Sequence, residues 1–146
     1  MASVKRNLET IRTVATRFRA AIEATDFGGH DFNLTNFPKD CCHHAAALLR
    51  LYLFDEGLGL FDKAEGRRPD GREHVWVRQN DIVIDITADQ FDEGQAKVIV
   101  TRHSPWHAAW QLAESRSTDE AMLNCSRDFY SKQYPVYPLI LTNVNA

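Results

Sequence analysis

The sequence predicts an α+β domain in which an antiparallel sheet packs on a helix that carries cysteine at its N-terminus. Three observations lead there. Apolar residues recur at steps of three and four over residues 3 to 24, and a second apolar helical run spans about 41 to 56. Two segments rich in β-branched and aromatic residues, "HVWVRQ" and "IVIDITA", follow on either side of a polar turn. Helices come first, strands next and short helices last, rather than in strict alternation, which favours α+β.

The elements follow in order. Val4, Leu8, Ile11, Val14, Phe18 and Ile22 form one face of the first helix, with Arg6, Glu9, Arg12, Arg17 and Arg19 on the others. "DFGGHDFNLTNFPKD" reads as a loop, and Gly28-Gly29 as a turn without the lysine-serine signature of a phosphate loop. The second helix runs from about Cys41 to Glu56, with Asp40 as the expected N-cap and Gly57 or Gly59 as the stop. "DKAEGRRPDGRE" reads as a surface loop. The two β-rich segments make a hairpin, and "AKVIVTR" is a third strand. "SPWHAAWQLAES" and "STDEAMLNCSRDFYSKQ" read as helices, with Trp106, Trp110 and Cys125 facing the core. "YPVYPLILTNV" reads as an edge strand because of its two prolines.

Length and composition narrow the function. The 146 residues favour one domain over 1–146, large enough to form a core without staples. A net charge of -3 offers no basic stripe for nucleic acid. No apolar run reaches a membrane span, and "MASVKRNLETIRTV" lacks a signal-peptide core. Three cysteines, two of them adjacent, do not make a disulfide framework and point to a reducing compartment. Cytoplasmic residence is expected, with secretion as an effector lacking a classical signal peptide left open.

The chemistry concentrates in two stretches, "FPKDCCHHAAALLRLYL" and "EHVWVRQNDIVIDITADQF". Cysteine attacks as its thiolate, and a free thiol titrates at about 8.5. A helix N-terminus and a neighbouring histidine both favour the thiolate, and first-turn amides can hold an oxyanion. With a two-residue turn at Asn80-Asp81, residue 79 faces 82, 78 faces 83 and 77 faces 84. His74, Trp76 and Arg78 then share a face with Val83, Asp85 and Thr87, so Asp85 can orient the His74 imidazole. The Cys42 helix is expected on this same face, with Ile82, Ile84 and Ile86 pointing away from it. Metal is not expected. Adjacent His43 and His44 diverge by about 100° on a helix. His103 and His107 flank a proline and lack an acidic partner motif.

Cysteine at a helix start, then His-x-Trp, then Ile-Asp-Ile-Thr, resembles the transglutaminase-like branch of the papain-like cysteine enzymes. That family typically shows a helix-start Cys, a "H-A-W" strand and a "D-P-T" strand, in the order Cys, His, Asp. This chain has Cys42, "HVW" at 74–76 and "DIT" at 85–87, and "IDITADQF" is similar to small bacterial members. The resemblance covers roughly residues 37–91. It departs at Lys39-Asp40, where many relatives have glycine, and at Ile86, where the family has proline. It implies a papain-like fold, no cofactor, and a Cys42–His74–Asp85 triad acting on an amide or related acyl bond of a protein or peptide. The residues around the reactive position in relatives favour Cys42 over Cys41. By analogy with the upstream glutamine of papain, Asn36 is an oxyanion candidate; Gln90 is another, and ordinary loop hydrogen bonding competes for both. Two rivals stand beside the enzyme: a silent papain-like module that recognises a partner protein, and a structural protein whose Cys, His and Asp do not converge.

Overall fold

The computed structural model describes residues 2–28 and 34–145, and the side chains of these except 2–7, 113 and 114; residues 29–33 of the expected glycine loop lie outside. The architecture is α+β with an open, antiparallel five-stranded sheet. Helix α1 (Ala2–Ala24) and helix α2 (Cys42–Asp55) precede strands β1 (Asp62–Arg67), β2 (Glu73–Gln79), β3 (Ile82–Asp85) and β4 (Ile99–Thr101). A short helix α3 (Pro105–Ala108), strand β5 (Gln111–Arg116), and helices α4 (Glu120–Asp128) and α5 (Tyr137–Leu141) complete it. The strand order is β4-β3-β2-β1-β5.

Helix α2 is the centre of the core. Every residue from Ala45 to Leu53 is buried, so the helix has no solvated face and needs cover all round. The Ile11, Val14, Phe18 and Ile22 stripe of α1 joins it in one cluster with Tyr137 and Ile140 of α5. Its end is a glycine stop: Gly57 has φ +81, its N–H bonds Phe54 O at 2.9 Å, and Leu58 N–H bonds Leu53 O at 3.0 Å. Its start differs from expectation. Cys41 is the N-cap and makes no side-chain cap hydrogen bond, while Asp40 has a left-handed φ of 60. The chain therefore turns one residue later, and Cys42 is the first helical residue.

The β2–β3 hairpin has the expected register, with Gln79 opposite Ile82, Arg78 opposite Val83 and Val77 opposite Ile84. Asn80, with φ 55, makes the tight turn. The side of the sheet that meets α2 is the reverse of the expected one. Val75, Val77, Ile82 and Ile84 join the α2 cluster, while Ala64, Trp76 and Trp110 form a second cluster on the other face. The reason is area: aliphatic strand residues gain most by packing on an entirely apolar helix.

Four other readings change. "DKAEGR" is the inner strand β1, paired with both β2 and β5; only the turn after it matches the loop reading. Its polar residues, Lys63 and Glu65, are half-buried and do not look like strand-core residues, while Gly66 leaves room for tryptophan. A Cβ there would lie 2.7 Å from Trp110 Cβ and 2.9 Å from the Trp76 ring. The second half of "SPWHAAWQLAES" is strand β5, because the helix ends after one turn and the chain pairs with β1. "YPLIL" is helical: Pro138 falls in the first turn, where a missing N–H costs nothing, and Tyr137 donates to Asp55 Oδ2 at 2.7 Å. Cys125 is exposed, as α4 turns it away from Leu123.

Arg19 is also not on a solvated face. It is 4 % exposed and donates to Ile86 O, to Lys97 O, to Glu23 and to both oxygens of Asp89, at 2.7–3.2 Å. Its guanidinium also lies 4.7 Å from the Phe37 ring. One side chain thus ties the loop before Cys42 to the loop after Asp85.

Ile84 is fully buried on the sheet face that packs on α2. Ile84→Ala should lower the unfolding free energy by about 2–5 kcal/mol in urea titrations; a loss typical of surface sites, about half a kcal/mol or less, would show that the two layers do not pack there.

Candidate functional site

Asp85 is the last residue of β3. Its carboxylate is 1 % exposed. Oδ1 accepts the Thr87 N–H at 2.9 Å and the Thr87 hydroxyl at 3.4 Å. Oδ2 lies 2.6 Å from Nε2 of His74 and 2.6 Å from Nε2 of His107. Burial alone would raise the carboxyl pKa, but His74 and His107 overcome it and hold Asp85 well below the usual carboxylate range. Asp85 is therefore the anion to which both imidazoles point their N–H groups.

His74 is completely buried among Trp76, Phe91, Trp106 and Trp110, with ring centroids 4.9–5.7 Å away. Burial works against its protonation, yet the charge and hydrogen bond of Asp85, and then Cys42, push its pKa up to about 9. The Cys42 thiol thus lies close enough to act on the imidazole. His74 Nδ1 has no partner of normal hydrogen-bond geometry, so the thiol contact is loose, as such pairs often are without substrate. Cys42 and His74 meet although α2 covers the opposite sheet face. Pairing of β2 with β3 ends at Val77 and Ile84, and His74 stands beyond it, second in β2 and opposite Gly66 of β1.

The two cysteines differ in setting. Cys41 is 2 % exposed and belongs to the aliphatic core. Cys42 is half-buried at the start of α2, where first-turn amides lack intrahelical acceptors. The oxyanion candidates are less well placed. Asn36 is exposed at the end of a 3-10 turn, Leu34–Asn36, and its side chain makes no hydrogen bond among the described residues. Gln90 sits in the turn Ala88–Phe91 and donates to Thr87 O at 2.9 Å.

His107 is the residue that the sequence reading missed. Ser104 caps α3, accepts the His107 N–H at 3.3 Å, and stands 2.5 Å from His107 Nδ1. With Nδ1 accepting from Ser104, Nε2 carries the proton given to Asp85. Ser-Pro followed by His at the third helical position signals this local cap, but not its contact with Asp85. His103 is exposed and takes no part. The donor atoms of His74, Asp85 and His107 lie within 4.8 Å of one another, a spacing compatible with metal. At 2.6 Å from Asp85, both imidazoles satisfy its carboxylate as hydrogen-bond donors.

The aromatic side is closed by a latch. Arg68, in the β1–β2 turn, stacks 4.0 Å from the Trp110 ring and pairs with both Glu93 oxygens at 2.7 and 2.8 Å. Glu93 also accepts the Trp106 indole N–H at 3.0 Å. Among the described residues, no helix is long and apolar enough to cross a membrane. Comparison with protein-family models, curated proteins and solved structures finds no match to this chain.

Two measurements check the electrostatics. His74 gains proton affinity on folding, from 6.5 to about 9. The stability its charge contributes is therefore full below pH 6.5 and fades as pH rises through about 9. The stability difference between wild type and His74→Gln should shrink over that window. By NMR, the His74 ring should titrate near 9, and lower in Asp85→Asn; a neutral His74 at pH 7 would contradict the pairing. Independently, His107→Ala leaves Asp85 Oδ2 one donor short, and should cost about 1–3 kcal/mol in unfolding free energy.

Proposed function

We propose that the protein is a cysteine-dependent hydrolase or acyltransferase acting on an amide or related acyl bond. The observation that carries this reading is the buried His74, held by Asp85 at 2.6 Å and raised in proton affinity by Asp85 and, after it, by Cys42. The order Cys42, His74, Asp85 on helix, strand and strand supports a papain-like, transglutaminase-like arrangement, as the "HVW" and "DIT" motifs suggest.

Because the His74 pKa is about 9, the imidazole holds its proton at neutral pH. A histidine that already holds its proton does not take the thiol's; the thiol proton goes to solvent, and the imidazolium stabilises the sulfur as it becomes the attacking thiolate. The sulfur attacks the acyl carbon, and the carbonyl electrons move onto oxygen. First-turn amides of α2 face the developing oxyanion. As the intermediate collapses, His74 gives its proton to the leaving amine and a thioester forms on Cys42. Neutral His74 then takes a proton from water, giving hydrolysis or deamidation, or from an amine, giving transamidation. Asp85 keeps the ring oriented throughout. Such a thiol works in a reducing compartment, consistent with cytoplasmic residence.

The loose Cys42–His74 contact and the full burial of His74 favour one rival, a silent module that binds a partner protein. Alkylation by iodoacetamide at about pH 6, where an ordinary thiol barely reacts, separates the two. Exposed Cys125 is a free-thiol control within the same molecule, and buried Cys41 should stay unlabelled. Peptide mapping should find Cys42 labelled first, and this preference lost in His74→Ala. Labelling of Cys42 no faster than Cys125 would favour the binding module.

A further inference from the structure

The second histidine on Asp85 leads to a hydroxyl. His107 Nε2 stands 2.6 Å from Asp85 Oδ2, and its Nδ1 stands 2.5 Å from Ser104 Oγ. The hydrogens fit a single arrangement: with the Nε2–H given to Asp85, Nδ1 is left to accept the Ser104 O–H. The ring is 4 % exposed and packs against Trp76 and Trp106, each with its centroid 4.9 Å away, so it is held in that orientation. Capping alone does not call for this contact. A cap needs only a lone pair of the hydroxyl oxygen, which Ser104 gives to the His107 N–H at 3.3 Å. In a capping box the third helical side chain returns to the backbone N–H of the N-cap. Here it takes the hydroxyl proton instead, which is the contact that activates a serine.

Ser104 and His107 also line a cavity of about 520 Å³ on the aromatic face of the sheet, with Trp76, Val83, Trp110 and Leu112 among its walls. That volume falls within the roughly 300–1,000 Å³ of small-molecule sites, which are mostly apolar with a few convergent polar groups. Ser104 is half-buried, so its hydroxyl meets both the ring and the cavity. Two arginines line the same space. Arg102 is paired with Asp81, whereas Arg78 makes no ion pair among the described residues. Arg78 N–H groups can therefore serve a carbonyl oxygen as charge builds on it.

We infer that Ser104, His107 and Asp85 form a second catalytic triad, a serine site that hydrolyses esters with small apolar acyl groups. It shares Asp85 with the Cys42 site but does not rest on Cys42 being a nucleophile. Ser104 Oγ bonds to the acyl carbon while its proton passes to His107 Nδ1, and Asp85 holds the imidazolium that results. The carbonyl then re-forms, the bond to the alcohol oxygen breaks, and that oxygen takes the proton from Nδ1. An acyl ester remains on Ser104. Water repeats the sequence: its proton goes to Nδ1, its oxygen bonds to the acyl carbon, and Ser104 leaves with the proton returned. The products are the carboxylic acid and the alcohol. The acyl group lies against the tryptophan, valine and leucine walls.

The test is labelling of the whole protein with a short-chain alkyl fluorophosphonate, which phosphonylates an activated serine and expels fluoride. Rates are read by peptide mapping at Ser104 and at Ser117, an exposed serine of the same chain. Ser104 should react at least about a hundredfold faster than Ser117, and His107→Gln should bring it down to the Ser117 rate. Turnover is read with p-nitrophenyl butyrate after iodoacetamide has blocked the accessible thiols. Wild type should still hydrolyse the ester, and Ser104→Asn, which keeps a helix N-cap but has no nucleophile, should not. The wild-type labelling rates decide even where a variant does not fold. If Ser104 reacts no faster than Ser117, it is a cap only and the serine site is overturned, while the Cys42 reading stands. If fast labelling survives in folded His107→Gln, or Ser104→Asn hydrolyses the ester as well as wild type, the triad is overturned.

Discussion

The buried carboxylate of Asp85 is the constraint around which this molecule is arranged. An isolated carboxylate taken out of water costs far more than a domain of this size can tolerate. Here every oxygen has partners: two imidazole N–H groups on Oδ2, and the Thr87 amide and hydroxyl on Oδ1. Meeting that requirement places three separate pieces of chain. The β2–β3 hairpin must bring His74 to the same face, the chain after β3 must turn back at Thr87, and α3 must dock with His107 inward. Ser104 then locks the His107 ring by capping the same helix.

The sheet separates two kinds of packing. On one side, aliphatic strand residues meet α2 and bury area without needing orientation. On the other, Trp76, Trp110, Trp106 and Phe91 enclose polar groups whose geometry matters. Aromatic rings exclude water from the His74–Asp85 pair, and this strengthens the charge interaction that holds the proton on His74. The Arg68–Glu93–Trp106 latch closes the same side from outside. Arg19 supports it from the first helix by fixing the loops that deliver Cys42 and Asp85. The site is thus held by polar side chains from distant segments, and the aliphatic core supplies most of the cohesion.

A two-histidine carboxylate has a chemical consequence. A carboxylate that accepts from one imidazole is a stronger hydrogen-bond acceptor than one that accepts from two. His107 therefore tempers the pull of Asp85 on His74, while still keeping Asp85 ionised.

Some of this was legible in the residues and some was not. Period-two alternation with Asn80-Asp81 at the turn determined the hairpin register, and with it the shared face of His74 and Asp85. Step-three and step-four apolar spacing determined α1 and α2, and the glycine after Glu56 determined where α2 stops. These are local rules, set by side-chain period and backbone sterics. The tertiary structure decided the rest. Which sheet face meets α2 depends on competing areas of aliphatic and aromatic surface. Strand β1 exists because β2 and β5 flank it, although Lys63 and Glu65 look like loop residues. Tyr137–Leu141 became a helix because burial of Tyr137 and Ile140 outweighed the usual reading of its prolines. His107 and Arg50 acquired their places only when they met their partners Asp85 and Thr118, 22 and 68 residues away along the chain. Long-range contacts of that kind have no period, and only the folded chain displays them.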